Sequence, residues 1–269
     1  MRLTIPFSIQ SSYICLMEFY KYHGCGNDFI LVDGRNIQNG FNNSLIERMC
    51  HRRFGVGADG FMILSLVSDY DFEMKYYNSD GRASSFCGNG GRCIVKFAQD
   101  LGIIRDRATF LFEEKLYSAT LDGESISLYM NNVDSILDEN GVFVLDTGSP
   151  HHVAFIENID SFDLIGYARR IRFSDSFPDG INVNIVEHVT SNQIKMRTYE
   201  RGVEDETYSC GTGVVAAVLA ASTRTKSKEN QFKVETKGGQ FDVEFQKEES
   251  RFHQIILKGP AEKVFQGTW

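Results

Sequence analysis

Phe86-Cys87-Gly88-Asn89-Gly90-Gly91-Arg92 and, 123 positions later, Ser209-Cys210-Gly211-Thr212-Gly213-Val214 are the two stretches that decide the fold of this chain. Each is a Cys-Gly-x-Gly element that runs into a helix-compatible segment, residues 92–101 after the first and 214–222 after the second. Each is also preceded by a glycine turn that opens into an apolar run. His23-Gly24-Cys25-Gly26-Asn27-Asp28-Phe29-Ile30 leads the first, and Thr147-Gly148-Ser149-Pro150-His151-His152-Val153-Ala154 leads the second. Gly24 and Cys87 lie 63 positions apart, and Gly148 and Cys210 lie 62 apart. Self-similarity at a fixed interval marks a duplicated structural unit.

Beyond each helical segment the residues alternate apolar and polar, the period of a strand with one buried face. In the first half these are Thr109-Phe110-Leu111-Phe112 and Ser125-Ile126-Ser127-Leu128-Tyr129. In the second they are Phe232-Lys233-Val234-Glu235, Phe241-Asp242-Val243-Glu244-Phe245 and Gln254-Ile255-Ile256-Leu257. Short alternating strands with turns between them suit antiparallel sheet, and one longer helix per half makes the class α+β. The Asn- and Asp-rich residues 131–141 divide the halves. The expected organisation is an N-terminal domain over 17–133, a C-terminal domain over 134–260, and a cleft between them, with a tail at 261–269 packing back on the first. Residues 1–16 carry one basic residue and no small-residue cleavage site, so they read as a dispensable extension rather than a secretory signal.

A formal net charge of −8 excludes the basic surface that phosphate neutralisation needs, so no nucleic-acid partner is expected. No apolar run reaches bilayer length, so no membrane partner is expected either. Six cysteines in 269 residues are too sparse for a disulfide-built secreted module, and reduced thiols in the cytoplasm are the expectation. Cys15, Cys25, Cys50 and Cys93 read as small buried hydrophobes. Cys87 and Cys210 do not, because each precedes Gly-x-Gly, opens a helix, and occupies the same place in the repeat.

Glycines after each cysteine let backbone N–H groups approach a ligand, and the following helix brings the positive end of its dipole to the same place. Such a setting is expected to lower the thiol pKa from its usual ~8.5 and to bind a carboxylate. With one sulfur on each face of an amino acid's Cα, a thiolate removes the α-proton while the opposite thiol delivers another. N–H donors aimed at the carboxylate stabilise the enolate-like charge. The pair shares one proton and titrates as a unit. The chemistry requires neither metal nor pyridoxal, so no cofactor is expected.

These stretches resemble the diaminopimelate epimerase family, within the wider two-cysteine, pyridoxal-independent racemase superfamily. The likeness runs from about Met17 to the C-terminus. It includes the His23–Phe29 and Cys87 blocks, Arg53-Phe54-Gly55-Val56-Gly57-Ala58-Asp59-Gly60, and Tyr77-Asn78-Ser79-Asp80-Gly81. It continues through Gly180-Ile181-Asn182-Val183-Asn184 and Tyr199-Glu200-Arg201-Gly202 into the Cys210 block. The resemblance implies that Cys87 and Cys210 are the acid–base pair. Gly88, Asn89, Gly211 and Thr212 would hold the reacting carboxylate, with Asn27 beside them. Asn78, Ser149, Asn182 and Arg201 would recognise the far amino-acid end, with Glu200 taking an amino group. His151 and Glu200 would adjust the thiol pKa values. It also implies two similar domains, each a curved antiparallel sheet around a central helix, commonly in a homodimer. The activity implied is interconversion of LL- and meso-diaminopimelate, for lysine and peptidoglycan precursor synthesis.

Ser149 departs from the Asn frequent in the family, and a hydroxyl offers less than an amide with separate donor and acceptor ends. An amino-acid racemase of the same fold with another substrate is therefore an alternative. So, from a different class, is a thiol redox-switch protein in which Cys87 and Cys210 form a regulatory disulfide. Gly55-Val56-Gly57-Ala58-Asp59-Gly60 matches G-x-G-x-x-G, but it follows a helical segment rather than a strand, so no dinucleotide site is expected. His151 and His152 are adjacent on a strand and face opposite ways, and no metal-ligand spacing accompanies them. Arg224, Lys226 and Lys228 read as a solvated loop.

Overall fold

The structure, a computed structural model, describes residues 17–37 and 40–269. The extension expected over 1–16 lies outside the described residues. The first half runs β1 (Glu18–Gly24), β2 (Asn27–Asp33), α1 (Asn43–Cys50), β3 (Gly60–Ser65), β4 (Phe72–Asn78), α2 (Gly88–Asp100), β5 (Arg107–Phe112), β6 (Lys115–Asp122) and β7 (Ser125–Tyr129). The second runs β8 (Leu137–Glu139), β9 (Val142–Asp146), β10 (Pro150–Phe155), α3 (Leu164–Arg172), β11 (Asn182–Thr190), β12 (Gln193–Glu200) and β13 (Asp205–Thr207). It continues with α4 (Gly211–Thr225), β14 (Gln231–Thr236), β15 (Gly239–Glu248), β16 (Arg251–Pro260) and β17 (Glu262–Thr268).

The α+β class and the two similar halves are what the sequence led us to expect. Pairing follows one plan in both. β1 and β9 run antiparallel to β2 and β10, which run parallel to β3 and β11. These lead antiparallel into β4 and β12, which pair in parallel with β5 and β14. The sheet is thus mostly antiparallel, with two parallel pairings per half that strand alternation does not reveal. Each parallel step is bridged by a helical crossover, the connection such a pair requires.

Each long helix is wrapped by the sheet. α4 reads Gly-Thr-Gly-Val-Val-Ala-Ala-Val-Leu-Ala-Ala-Ser before any charge, and all twelve of these residues are buried. A helix without a polar face belongs inside a core. α2 is buried from Gly88 to Val95 and again at Phe97 and Ala98. One apolar cluster spans both helices and both halves, joining Leu128 and Ile94 to Leu257 and Val218. Two smaller clusters lie under α1 and α3 at corresponding places.

The halves are also laced together. β16 pairs with β7 across the division, and β17 returns to pair with β1. The turn after β1 carries Cys25 at φ 51°, and a side chain at Gly238 would collide with the Cys25 carbonyl. The β14–β15 turn therefore sits against the first half only because Gly238 has no Cβ.

Candidate active site

Cys87 and Cys210 are the N-cap residues of α2 and α4, with φ, ψ of −115°, 118° and −129°, 111°. N-caps are usually oxygen side chains, which satisfy amides of the first turn. Cys87 does this weakly, its Sγ accepting from the Gly90 N–H at 3.4 Å. Cys210 makes no cap bond. The two helix starts meet backbone to backbone. A Cβ built on Gly211 would lie 2.9 Å from the Asn89 nitrogen and 3.0 Å from the Gly88 Cα. One on Gly88 would lie 3.2 Å from the Gly211 Cα. Glycine at both positions brings the two first turns, with the cysteines that cap them, to one place.

On the Cys87 side the sulfur donates to Asn27 Oδ1 at 3.6 Å. Asn27 is fixed at both ends: its Nδ2 donates to Asp59 at 2.8 Å, and its Oδ1 accepts from Asn89 Nδ2 at 3.2 Å. Asn89 also donates to the backbone carbonyl and hydroxyl of Ser209, beside Cys210, while its Oδ1 accepts from Arg92 at 2.8 Å. Arg92 is fully buried and lies over the Phe241 ring. Asn89 therefore touches the machinery of both cysteines.

On the Cys210 side the sulfur is 3.5 Å from Thr212 Oγ1, which is 2.9 Å from His151 Nε2. His151 Nδ1 is 3.1 Å from Asn184 Nδ2. Asn184 also donates to the His152 carbonyl at 3.1 Å and accepts from Thr198 at 3.0 Å.

A cavity of about 330 Å³ opens in front of Cys87. Asn27, Asn78, Ser149, Asn182, Glu200 and Arg201 line it, together with Tyr76, Arg172 and Asp179. Asn182 donates to Ser149 Oγ at 2.9 Å and accepts from the Arg201 N–H at 2.9 Å. The Arg201 guanidinium donates to the Asp179 carbonyl at 3.2 Å. Gly88, Asn89, His151, Cys210, Gly211 and Thr212 do not line this cavity; they form the packed layer behind Cys87, and Cys210 is only 6% exposed. The expected residues thus fall in two groups that meet at the helix starts.

The electrostatics correct one expectation. Burial pushes the Cys87 thiol up to about 12, Glu200 adds to the rise, and the Gly90 and Asn89 amides only partly offset it. Cys210 is raised too, first by burial and then by Glu200, with Thr212 opposing and the charge of Cys87 adding. The helix starts do favour thiolate, but desolvation outweighs them. Burial lifts Glu200 itself to about 7 and, with Arg201, drops His151 to about 3, so His151 is neutral.

Sequence reasoning missed Asp59, Arg92, Asn184 and Ser209 as parts of this arrangement. Asp59 lay inside the discounted glycine motif, and Arg92 in the quoted Cys87 block. Neither burial nor the partner of a polar side chain is written in local pattern. Asn184 alternates with Asn182 on β11, a repeat of type that could have signalled two inward amides.

Solved structures of similar shape place the fold. A PhzF-family phenazine biosynthesis protein from Bacillus anthracis superposes with a TM-score of 0.72 at 15% identity, over 94% of this chain and 99% of that one. A hydroxyproline epimerase from Agrobacterium vitis gives 0.70 at 15% identity, over 95% and 93%. The architecture, two similar halves with a cleft between them, is the one these structures share. The profile of the diaminopimelate epimerase family matches residues 19–135 and 143–264. A diaminopimelate epimerase of Flavobacterium psychrophilum is 47% identical over 94% of this chain and all of its own length. One of Chlorobaculum tepidum is 39% identical over 91% and 98%. The chain belongs to the diaminopimelate epimerase family and is an isomerase.

Proposed function

We propose that this enzyme interconverts LL- and meso-diaminopimelate by two-base proton transfer, with Cys87 and Cys210 on opposite faces of the substrate Cα. The observation that carries this reading is the abutment of two cysteine-capped helix starts at Gly88 and Gly211. One thiolate accepts the α-proton and the opposing thiol gives its proton to the other face, so the bond broken and the bond formed are both to the same carbon. The first-turn amides at Gly88, Asn89, Gly211 and Thr212, with Asn27, hold the carboxylate whose charge grows in the transition state. Arg201, Asn182, Asn78 and Ser149 take the distal carboxylate and Glu200 an ammonium; a guanidinium fork suits the first and a carboxylate the second.

The raised thiol pKa values fit this scheme. Glu200 repels both thiolates. An ammonium paired with Glu200 neutralises that repulsion, so substrate binding itself favours the charged sulfur. No cofactor takes part in these steps. The reaction belongs to lysine and peptidoglycan precursor synthesis. Among the described residues no helix is long and apolar enough to cross a membrane. We place the enzyme in the cytoplasm as a homodimer, with domains at 17–133 and 134–260 and the tail 261–269 paired to the first.

Exchange of the substrate α-hydrogen for deuterium in D₂O, on reduced enzyme without added cofactor, tests the proposal. Exchange with both isomers is expected, and its absence with both rejects the scheme. A second reading, a racemase for another amino acid, rests on Ser149, whose hydroxyl meets Asn182 where a longer amide would reach further into the cavity. Faster exchange of a different amino acid in a substrate panel would establish it.

A further inference from the structure

We propose that Asn184 is a positioning residue that locks the His151 tautomer, so that the Thr212 hydroxyl is delivered to Cys210 as a hydrogen-bond donor. The His152 carbonyl can only accept, so the Asn184 amide must turn its Nδ2 toward it, and that same Nδ2 faces His151 Nδ1. The Thr198 hydroxyl on Oδ1 agrees with this orientation. Nδ1 of His151 is therefore an acceptor, and in the neutral ring the proton sits on Nε2. Nε2–H then donates to Thr212 Oγ1, whose own proton is left for Cys210 Sγ. Asn184, His151 and Thr212 are each at least 97% buried, so no solvent competes for these groups.

The repeat shows what Asn184 adds. β2 pairs Phe29 with Gly60 on β3, and β10 pairs Val153 with Asn184 on β11. Counted from these pairs, Asn27 corresponds to His151, and Gly60 to Asn184. In both halves the first of these residues contacts the second residue of the long helix, Asn89 or Thr212. Each half has a side chain behind that residue, Asp59 on Asn27 and Asn184 on His151, but only Asn184 faces a ring whose tautomer it can set; at Gly60, its counterpart in position, a Cβ would strike the Tyr76 ring. The sulfurs differ accordingly. Cys87 has the Gly90 N–H as a cap donor at 3.4 Å, whereas at Cys210 the Thr212 hydroxyl stabilises the thiolate more than the Gly213 N–H does.

The charged and titratable groups facing Cys210 are Cys87 on α2, Glu200 on β12, Tyr76 on β4 and His151 on β10, with Arg201 acting on His151. Cys87 and Glu200 oppose a thiolate there, so a single oriented hydroxyl matters to it. This inference rests on Cys210 being half of the acid–base pair. Alkylation reports its thiol whether or not turnover occurs, so a failed exchange assay and a failed relay are told apart.

Iodoacetamide alkylation rates at Cys210 and Cys87, read by peptide mass spectrometry on the full chain across pH 7–9, test it. In Asn184→Leu the Cys210 rate should fall about three- to tenfold, the effect of about one hydrogen bond on a thiolate fraction, while the Cys87 rate holds. Thr212→Val should do the same, and the double variant should add nothing to the larger single effect. Asn184→Ala reads the same change without added bulk should the leucine fail to fold. Thr198→Val, which touches only Oδ1, should leave both rates unchanged. An unchanged Cys210 rate in a folded Asn184 variant, equal slowing of both cysteines, or additive effects in the double variant overturn the proposal.

Discussion

At the scale of single residues the site sets two cysteines against a carboxyl that disfavours their charge. Cys87→Ser and Cys210→Ser should each lower turnover by about 10²–10⁴-fold, the usual worth of a positioned acid or base. Melting temperature should stay near that of the parent, since sulfur and oxygen fill similar space. Retained turnover in either variant would remove that residue from the pair. Glu200 offers a test with a sign. Its folded-state pKa, about 7, lies above the ordinary ~4.3. The stability it contributes is therefore full below about 4.3 and lost as pH rises through about 7. The melting temperature of the parent, measured against Glu200→Gln, should fall between pH 5 and 8, where the amide variant has no such titration. Because Glu200 raises both thiols, the same substitution should speed alkylation of Cys87 and Cys210 together. Parallel melting curves would show that the carboxyl does not titrate there.

At the scale of elements the junction of α2 and α4 carries the geometry. Gly211→Ala must move backbone atoms rather than a flexible side chain, because its Cβ meets the Asn89 nitrogen and the Gly88 main chain. Overpacking of this kind costs about 1–3 kcal/mol, measurable by urea denaturation. Activity should fall further than stability, since the shift separates the sulfurs. Gly40→Ala has no atom of the described residues within 4 Å of the new methyl group and serves as the neutral control. A Gly211→Ala enzyme with parental activity would show that the helix starts tolerate separation. These helices were legible in the sequence, because Cys-Gly-x-Gly and the apolar runs after it are local signals. The strands were legible as strands for the same reason: Phe241, Val243 and Phe245 alternate inward on β15 as their spacing requires. The parallel pairings were not, since alternation fixes a face and not a partner. The relay through Asn184 was hidden for a related cause: it joins residues 151, 184 and 212, which only the pairing of β10 with β11 brings together. The thiol pKa values misled because a helix start can be read from glycines, whereas the desolvation that outweighs it is a property of the packed layer.

At the scale of the molecule the duplication gives two halves, yet neither half closes its own sheet. β7, the last strand of the first half, pairs with β16, and β1 is covered by β17. The principal apolar cluster contains α2 and α4 together, so unfolding one half would expose the buried face of the other. Asn89 and Ser209 join the halves again at the site, and Ser209 Oγ donates to the Cys25 carbonyl at 2.8 Å. Repeats that share strands and core in this way are expected to melt as one unit despite their separate helices. Scanning calorimetry should give one transition whose calorimetric and van't Hoff enthalpies agree. The fragment 17–133 alone, deprived of β16 and β17, should show no cooperative melt of its own. Two resolved transitions in the full chain, or a cooperative melt of the fragment, would mean that the shared strands contribute little. The cysteines would then be held together only by the local contacts at the site, Gly88 against Gly211 and Asn89 on Ser209, and substrate rather than the fold would have to bring the two sulfurs into register.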